Sequence, residues 1–272
     1  MPDWVYNLPP LQLGLLMVAL FELVSLAGLF LVRRFVLPHI RYHDGVNDAL
    51  SGTVQSIGVF YGVTIGLIAV GVWGSFSATA GLATNEATAI AMLYRDVSSY
   101  PEPPRTALQA DLRAYIDGVI TEDWPAHQLG QVPITGTLRV NDIQARLTSF
   151  EPKTKGQEIL HAETLHAFNN LVQARRERMD AVGGGLSQVM WAVIWIGAAI
   201  SIAVGYFFYL EDPKLHAIAI GLMAAFIGIV LFVIVVNDRP FVGSTAVRSD
   251  SYQKIVDTLM KVPVDNLIQL RK

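Results

Sequence analysis

The feature that most constrains this chain is a set of four long apolar runs that carry almost no charge. They extend from Leu11 to Val32, between Asp48 and Glu86, from Leu186 to Leu210 and from Ala217 to Val236. A bilayer core about 30 Å thick is crossed by about 20 apolar residues in a helix. Because lipid offers no partners to open backbone, a spanning run has to be helical. The sequence therefore predicts an all-α protein with a bundle of four transmembrane helices.

The composition excludes several classes of protein. Hydrophobic residues make up 52% of the chain and charged residues only 16%, whereas about a quarter of an ordinary soluble domain is charged. The net charge of -3 gives no basic surface signal, so a nucleic-acid partner is not expected. With no cysteine, disulfides and thiolate sites are excluded. No phosphate-binding glycine loop, zinc-protease motif or nucleophile elbow is present, so neither an enzyme nor a cofactor is expected.

The runs predict four segments of chain. Residues 1–86 hold transmembrane helices 1 and 2, residues 87–185 a helical membrane-proximal block, residues 186–236 helices 3 and 4, and residues 237–272 an amphipathic tail. An even number of spans places both termini on the side of the block. Lys and Arg near the span ends favour the cytoplasm for that side of an inner membrane, whereas Arg33 and Arg34 at the end of the first span argue the other way.

The second apolar run is longer than a membrane requires. Its 37 uncharged residues would form a helix about 55 Å long at 1.5 Å per residue. Gly58, Gly62 and Gly66 recur at four-residue intervals within it, and this spacing forms a groove that lets another helix approach closely. The groove predicts helix packing inside one subunit, a packing seam around a central pore, or both, since a pore-lining helix also needs close neighbours.

Two motifs resemble those of the bestrophins. The first lies late in the second run, as Gly71-Val-Trp-Gly74-Ser-Phe76 followed by Asn85-Glu86-Ala87 and Tyr94-Arg95. The second follows the fourth run, as Asp238-Arg239-Pro240-Phe241-Val-Gly243, and we expect it to be structural because its proline ends the helix. In order and spacing, the chain is most similar to the bestrophin-like group of bacterial membrane proteins.

The resemblance implies a homopentamer that conducts anions such as chloride, with the second helix lining the pore. The family's pore positions fall on Leu67, Gly71 and Ser75. Only Leu67 is bulky, so the hydrophobic constriction that gates by dewetting is not expected in its usual form. The acidic calcium-binding run of animal bestrophins is replaced by Ser244-Thr-Ala-Val-Arg248, so calcium gating is not expected either. The expected partners are further copies of the chain, the lipid bilayer and inorganic ions.

Asn85 and Glu86 lie where the long helix is expected to leave the membrane. One interpretation makes them a polar ring at the pore exit. The other makes them ordinary surface residues that pair with Arg95 or Arg239.

Glu22 lies in the middle of the first span, where an ionisable side chain is costly and usually faces the bundle interior or water. It is either a proton relay or selectivity element, or a buried carboxyl that bonds a backbone carbonyl or a hydroxyl such as Ser25 or Ser201. The pair His39 and His43 has too few companion ligands for a zinc site, so no metal is expected.

Three functions follow from these features. The first is an oligomeric anion channel lined by the second helix. The second is a non-conducting scaffold or sensor, in which the cluster from Arg175 to Arg178 docks a partner or anionic lipid. The third is a component of a proton-coupled transporter that uses Glu22.

Overall fold

The structure is a computed structural model that describes residues 3–40, 45–208 and 210–261, and all regular secondary structure in these ranges is helical. The α-helices are α1 (Asp3–Tyr6), α2 (Pro10–Leu31), α3 (Val46–Val97), α4 (Pro104–Gly118), α5 (Trp124–Gln128), α6 (Thr135–Thr148), α7 (Lys155–Ala181), α8 (Gln188–Gly205), α9 (Pro213–Asp238) and α10 (Asp250–Ile255). The predicted all-α fold is confirmed.

Short non-α segments extend or join these helices. A π-helical turn at Val32–Val36 and a 3-10 turn at Leu37–His39 continue α2, a π-helical turn at Val119–Asp123 joins α4 to α5, and another at Val256–Met260 follows α10.

Four helical stretches have the length and apolar composition of membrane spans. They are Pro10–His39, Leu50–Val97, Gln188–Gly205 and Pro213–Asp238. Each agrees with one of the apolar runs in the sequence, so the predicted four spans are confirmed. Two spans begin with sequence signals for a helix start: Ser187 caps α8 through the amide of Met190, and Asp212 caps α9 directly before Pro213.

The chain divides into two compact units. Unit 1 contains Met1–Phe76, Gly185–Arg239 and Gly243–Thr245, and unit 2 contains Ser77–Gly184, Pro240–Val242 and Ala246–Lys272. The helix α3 contributes to both, since its residues after Phe76 belong to unit 2.

Glycines allow close helix packing in unit 1. On α9, a side chain at Gly228 would meet the α2 backbone at Val18, 3.1 Å away. On α8, the ring of Tyr61 packs against Gly197, where a side-chain carbon would lie only 2.5 Å from it. The hydroxyl of Tyr61 donates to the carbonyl of Ile194 at 3.2 Å. Small residues let helices approach each other in lipid, where van der Waals packing rather than the hydrophobic effect drives association.

Unit 2 has a conventional apolar core. Its members recur at helical spacing on α3, α4, α6 and α7 and are fully buried: Ile90, Leu93, Leu108, Leu112, Ile116, Ile143, Leu147 and Leu171. Burial of an aliphatic side chain stabilises a fold by about 1.5–3 kcal/mol. This core fixes the backbone around a cluster of charged side chains described below.

Candidate functional site

The predicted pore positions lie on an exposed side of α3 in unit 1. Leu67 is 69% exposed, and Gly71 and Ser75 follow it at four-residue intervals on the same helix face. All three border a cavity of about 270 Å³, whose other wall is formed by Gly185, Leu186, Met190 and Asp238. Among the described residues that line this cavity, Asp238 alone carries a charge.

None of the residues that the structure describes packs closely against the seven glycines of α3. A side-chain carbon placed at any of them would meet nothing within 4 Å: Gly52, Gly58, Gly62, Gly66, Gly71, Gly74 and Gly81. The close packing of another helix against these glycines inside one subunit is therefore not observed among the described residues. The glycines lie on more than one side of α3. Gly58 and Gly62 border a cavity of about 190 Å³ whose lining includes residues of α8 and α9, whereas Gly71 and Gly74 are exposed in the chain.

Glu86 lies in unit 2, on the later part of α3, and is fully buried. Its carboxylate forms a two-pronged ion pair with Arg178 of α7: Nε donates to Oε2 at 2.5 Å and Nη2 donates to Oε1 at 3.2 Å. A second carboxylate, Asp123, accepts from Nη2 of Arg178 at 3.1 Å. The prediction that Glu86 pairs with Arg95 or Arg239 was wrong, and its carboxylate faces no solvent in the chain.

Two tyrosines complete the surroundings of the Glu86 carboxylate. Tyr115 of α4 donates its hydroxyl to Oε1 at 2.5 Å, and Tyr252 of α10 donates to Oε2 at 3.1 Å. Burial and the adjacent Glu86 carboxylate raise the pKa of both phenols well above the ordinary value, which keeps them as donors. Each oxygen of Glu86 thus accepts two hydrogen bonds.

His127 of α5 occupies the remaining side of Arg178. Its Nδ1 lies 3.0 Å from the carbonyl oxygen of Gln131, and its Nε2 lies 2.5 Å from Nη1 of Arg178. A carbonyl only accepts and a guanidinium only donates, so the proton has to be on Nδ1 and Nε2 has to be bare. Burial and then Arg178 lower the pKa of His127, opposed by its bond to Gln131, and the ring is neutral.

Aromatic rings cover the guanidinium of Arg178. Its carbon lies 5.4 Å from the ring centre of Trp124 and 5.9 Å from that of Tyr252. Phe241, from the predicted structural motif, meets the edge of Trp124 with 5.7 Å between ring centres. Burial alone would lower the pKa of Arg178, but the Glu86 carboxylate holds it well above the ordinary value. Arg178 is therefore charged, and it joins α3, α5, α7 and α10 within unit 2.

The other part of the motif lies in unit 1. Asp238 accepts from the hydroxyl of Tyr6 at 2.9 Å and from the amide of Leu186 at 2.7 Å. Gly243 has φ +98 and lies against the carbonyl of Tyr6, a conformation and a closeness that a side chain would disturb. Arg239 lies over the ring of Tyr6 at 5.1 Å. These contacts favour the structural role predicted for the motif.

The remaining predicted residues lie apart from this cluster. Asn85 is exposed and borders a shallow groove with Asn170, Gln173 and Glu177 of α7. Glu22 is half-buried on α2. His39 contacts the carbonyl of Phe35 at 3.0 Å, and its predicted companion His43 lies outside the described residues. Within the described ranges, no group of three or more potential metal ligands occurs.

The charge cluster was not predicted from the sequence. Arg178 belongs to the run from Arg175 to Arg178, which suggested a docking surface, yet it is fully buried and unable to dock a partner. The one available signal was position: Glu86 and Arg178 both interrupt the apolar spacing of long helices, on faces that are otherwise buried.

Four apolar spans, together with a helical unit that has its own buried apolar core, define a multi-pass helical membrane protein. A family model described as the Bestrophin-like domain matches residues 19–252, so the chain belongs to this family, as the sequence motifs predicted. Comparisons with curated proteins and with solved structures find no match.

Proposed function

We propose that copies of this chain assemble, as pentamers by family resemblance, into an anion channel of the cell membrane whose pathway is lined by α3. The observation that carries the proposal is the exposed side of α3 around Leu67, where a side chain at Gly71 or Gly74 would meet no described atom within 4 Å, on a helix that has no charged residue between Asp48 and Glu86. A helix that faced lipid alone would gain nothing from glycine, which weakens helices by about 1 kcal/mol per residue. Membership of the Bestrophin-like family supports the same function.

The choice of ion rests on the family, and the site adds a reason to test it. Asp238 borders the cavity beside Leu67, Gly71 and Ser75. A carboxylate at an anion pathway opposes the ion, although the two hydrogen bonds that Asp238 accepts spread its charge. We assign chloride as the conducted ion and the membrane-proximal block and both termini to the cytoplasm.

The first experiment is ion flux from purified protein in liposomes. A chloride gradient should drive a larger flux than a potassium gradient. A larger potassium flux would be compatible with an ion pathway along α3 but would refute the assignment of anions as the conducted ions. No flux from a correctly assembled oligomer would refute conduction and favour a membrane scaffold or sensor. A reporter fused after residue 272 tests orientation, since an extracytoplasmic reporter would refute the assignment of sides.

The lining assignment is tested with single cysteines, because the chain contains none. Leu67→Cys and Leu222→Cys form a matched pair, since both parent side chains are 69% exposed and lie on α3 and α9 respectively. A charged thiol reagent should block flux through Leu67→Cys and leave Leu222→Cys unchanged. Leu67→Trp should reduce flux without any reagent. Unaltered flux from Leu67→Cys after complete modification, confirmed by mass spectrometry, would refute the lining role.

A further inference from the structure

The cavity of about 190 Å³ in unit 1 is a long cleft between α3, α8 and α9. Its lining extends from Val54 to Ile65 on α3, which is about 16 Å at 1.5 Å per residue, and from Met223 to Val230 on α9, which is about 10 Å. The described residues that line it include no charged side chain. Phe226 in its wall is 64% exposed, so the cleft opens towards the outside of the bundle. An apolar cavity of about 150 Å³ already excludes water and takes up apolar molecules.

The cleft contains one hydroxyl group that lacks a partner. Ser201 is 3% exposed, and its hydroxyl bonds no atom of the described residues. A helical serine commonly donates to a carbonyl of its own helix instead. Gly197 lies one turn before Ser201 on α8, and the ring of Tyr61 packs against it, so this side of α8 is turned towards α3 and the cleft. The other hydroxyl in the wall, that of Tyr61, already donates to the carbonyl of Ile194.

Ser201 lies near one end of the span. It is four residues, or about 6 Å, from the end of α8 at Gly205. The helices α3 and α8 run in opposite directions, because Leu67 and Met190 border one cavity whereas Tyr61 contacts Gly197. Residues that follow Tyr61 on α3 therefore lie deeper in the span than Ser201 does.

The cleft thus has a polar end and an apolar end. Ile65 lies one turn beyond Tyr61, and Ser201 lies one turn beyond Gly197 in the opposite direction. Along the helix axes, these offsets place Ile65 about 12 Å from the level of Ser201. The unpaired hydroxyl is nearer the membrane surface, and the apolar walls continue from it towards the membrane interior.

From this geometry we infer that the cleft binds one acyl chain of a phospholipid, whose ester carbonyl accepts a hydrogen bond from Ser201 and whose hydrocarbon extends past Gly62 towards Ile65. An acyl chain is long, narrow and apolar, and its ester carbonyl is an acceptor at the end nearer the membrane surface. A helix from a second copy fits less well, because it is about 10–12 Å wide and its carbonyls are bonded internally.

The lipid cleft is separate from the positions to which we assign conduction. Gly58, in the wall of the cleft, precedes Leu67 by nine residues, which is two and a half turns of helix. The two positions therefore lie on opposite sides of α3. The inference stands whether or not α3 conducts ions.

Photolabelling of the full-length protein in liposomes tests the inference. The liposomes contain phosphatidylcholine and a trace of the same lipid with a diazirine in one acyl chain, and mass spectrometry locates the labelled residues. Phe226 in the cleft and Leu23 on α2 are matched reporters, since their side chains are 64% and 69% exposed. Label at Phe226 should exceed label at Leu23 several-fold.

Two pairs of variants locate the lipid. Gly62→Leu fills the cleft and should remove the excess label at Phe226, whereas Gly66→Leu should retain it, because Gly66 also has open space around it but does not line the cleft. Ser201→Ala should reduce the excess label by about 2- to 10-fold, the effect of one hydrogen bond. Ser25→Ala removes a buried, unpartnered hydroxyl outside the cleft and should have no effect.

The contrary outcomes are distinct. Equal label at Phe226 and Leu23 would show contact with bulk lipid only and would overturn the inference, as would excess label that survives Gly62→Leu. Unreduced label in Ser201→Ala would overturn the assignment of the ester carbonyl, and this variant decides where Gly62→Leu fails to assemble in size-exclusion chromatography. Absent label, with disulfide cross-links between copies through Phe226→Cys, would assign the cleft to a second copy.

Discussion

Replacement of Arg178 by Met should strongly destabilise unit 2. Methionine has a comparable length, so little cavity is created, but the guanidinium and its four hydrogen bonds to Glu86, Asp123 and His127 are lost. Two buried carboxylates then lie without a counter-charge. Removal of one partner from a buried ion pair costs about 3–5 kcal/mol. For a domain of this size, each kcal/mol lowers the Tm by about 2–4 °C, so about 4 kcal/mol corresponds to about 8–16 °C.

The assay is thermal unfolding in detergent, followed by tryptophan fluorescence, since Trp124 lies over the Arg178 guanidinium. Arg176→Met is the matched control on the same helix, because that side chain is 83% exposed and its ion pair with Asp180 spans 4.0 Å. The control should stay within about 2 °C of wild type, as exposed pairs contribute little. Arg178→Lys should fall between the two, because a lysine retains the charge but not the two-pronged geometry. Equal Tm values for Arg178→Met and Arg176→Met would refute the reasoning.

Three further predictions concern pH and packing. The pKa of His127 is lowered in the folded protein, so unfolding below about pH 6.5 takes up a proton, and the free energy of unfolding should fall as the pH drops below that value. His127→Gln should weaken this fall in a series of Tm measurements from pH 7.5 to 5.5. An identical pH dependence in the variant would contradict the assignment. Gly228→Leu should lower the Tm, because the new side chain would clash with the α2 backbone. Gly221→Leu is the control and should leave the Tm unchanged, because a side-chain carbon at this position would meet nothing within 4 Å. Equal effects of the two variants would contradict the observed packing of α9 on α2. Gly74→Leu, at an exposed position, should leave the secondary structure by circular dichroism unchanged but reduce the oligomer seen by cross-linking. An unchanged oligomer would place that side of α3 against lipid.

Residues of the second helix show where sequence reasoning reaches its limit. The absence of charge between Asp48 and Glu86 is a local property, and it correctly indicated a long helix, observed as Val46–Val97. The glycine spacing indicated a groove without identifying what fills it. Either interpretation uses the same residues, and the neighbours of Gly58, Gly62 and Gly66 depend on where other helices lie.

Glu86 illustrates the same limit for charges. Its partner Arg178 is 92 positions away along the chain, and its second tyrosine, Tyr252, is 166 positions away. No spacing rule links residues at such separations. Arg95 and Arg239 were chosen because they lie near the helix end or the motif in sequence, whereas packing of α7 against α3 brings Arg178 to the carboxylate instead.

The sequence by itself determined the four spans and the all-α class, because long apolar runs in a bilayer have to form helices. It also determined the family, because the identity and order of the motifs are properties of the sequence. Tertiary structure alone decided which charges are buried together and which helix face is left open. The desolvation that makes Arg178 and Glu86 strongly interdependent arises only when side chains from several helices exclude water, and that exclusion depends on residues far apart in the sequence.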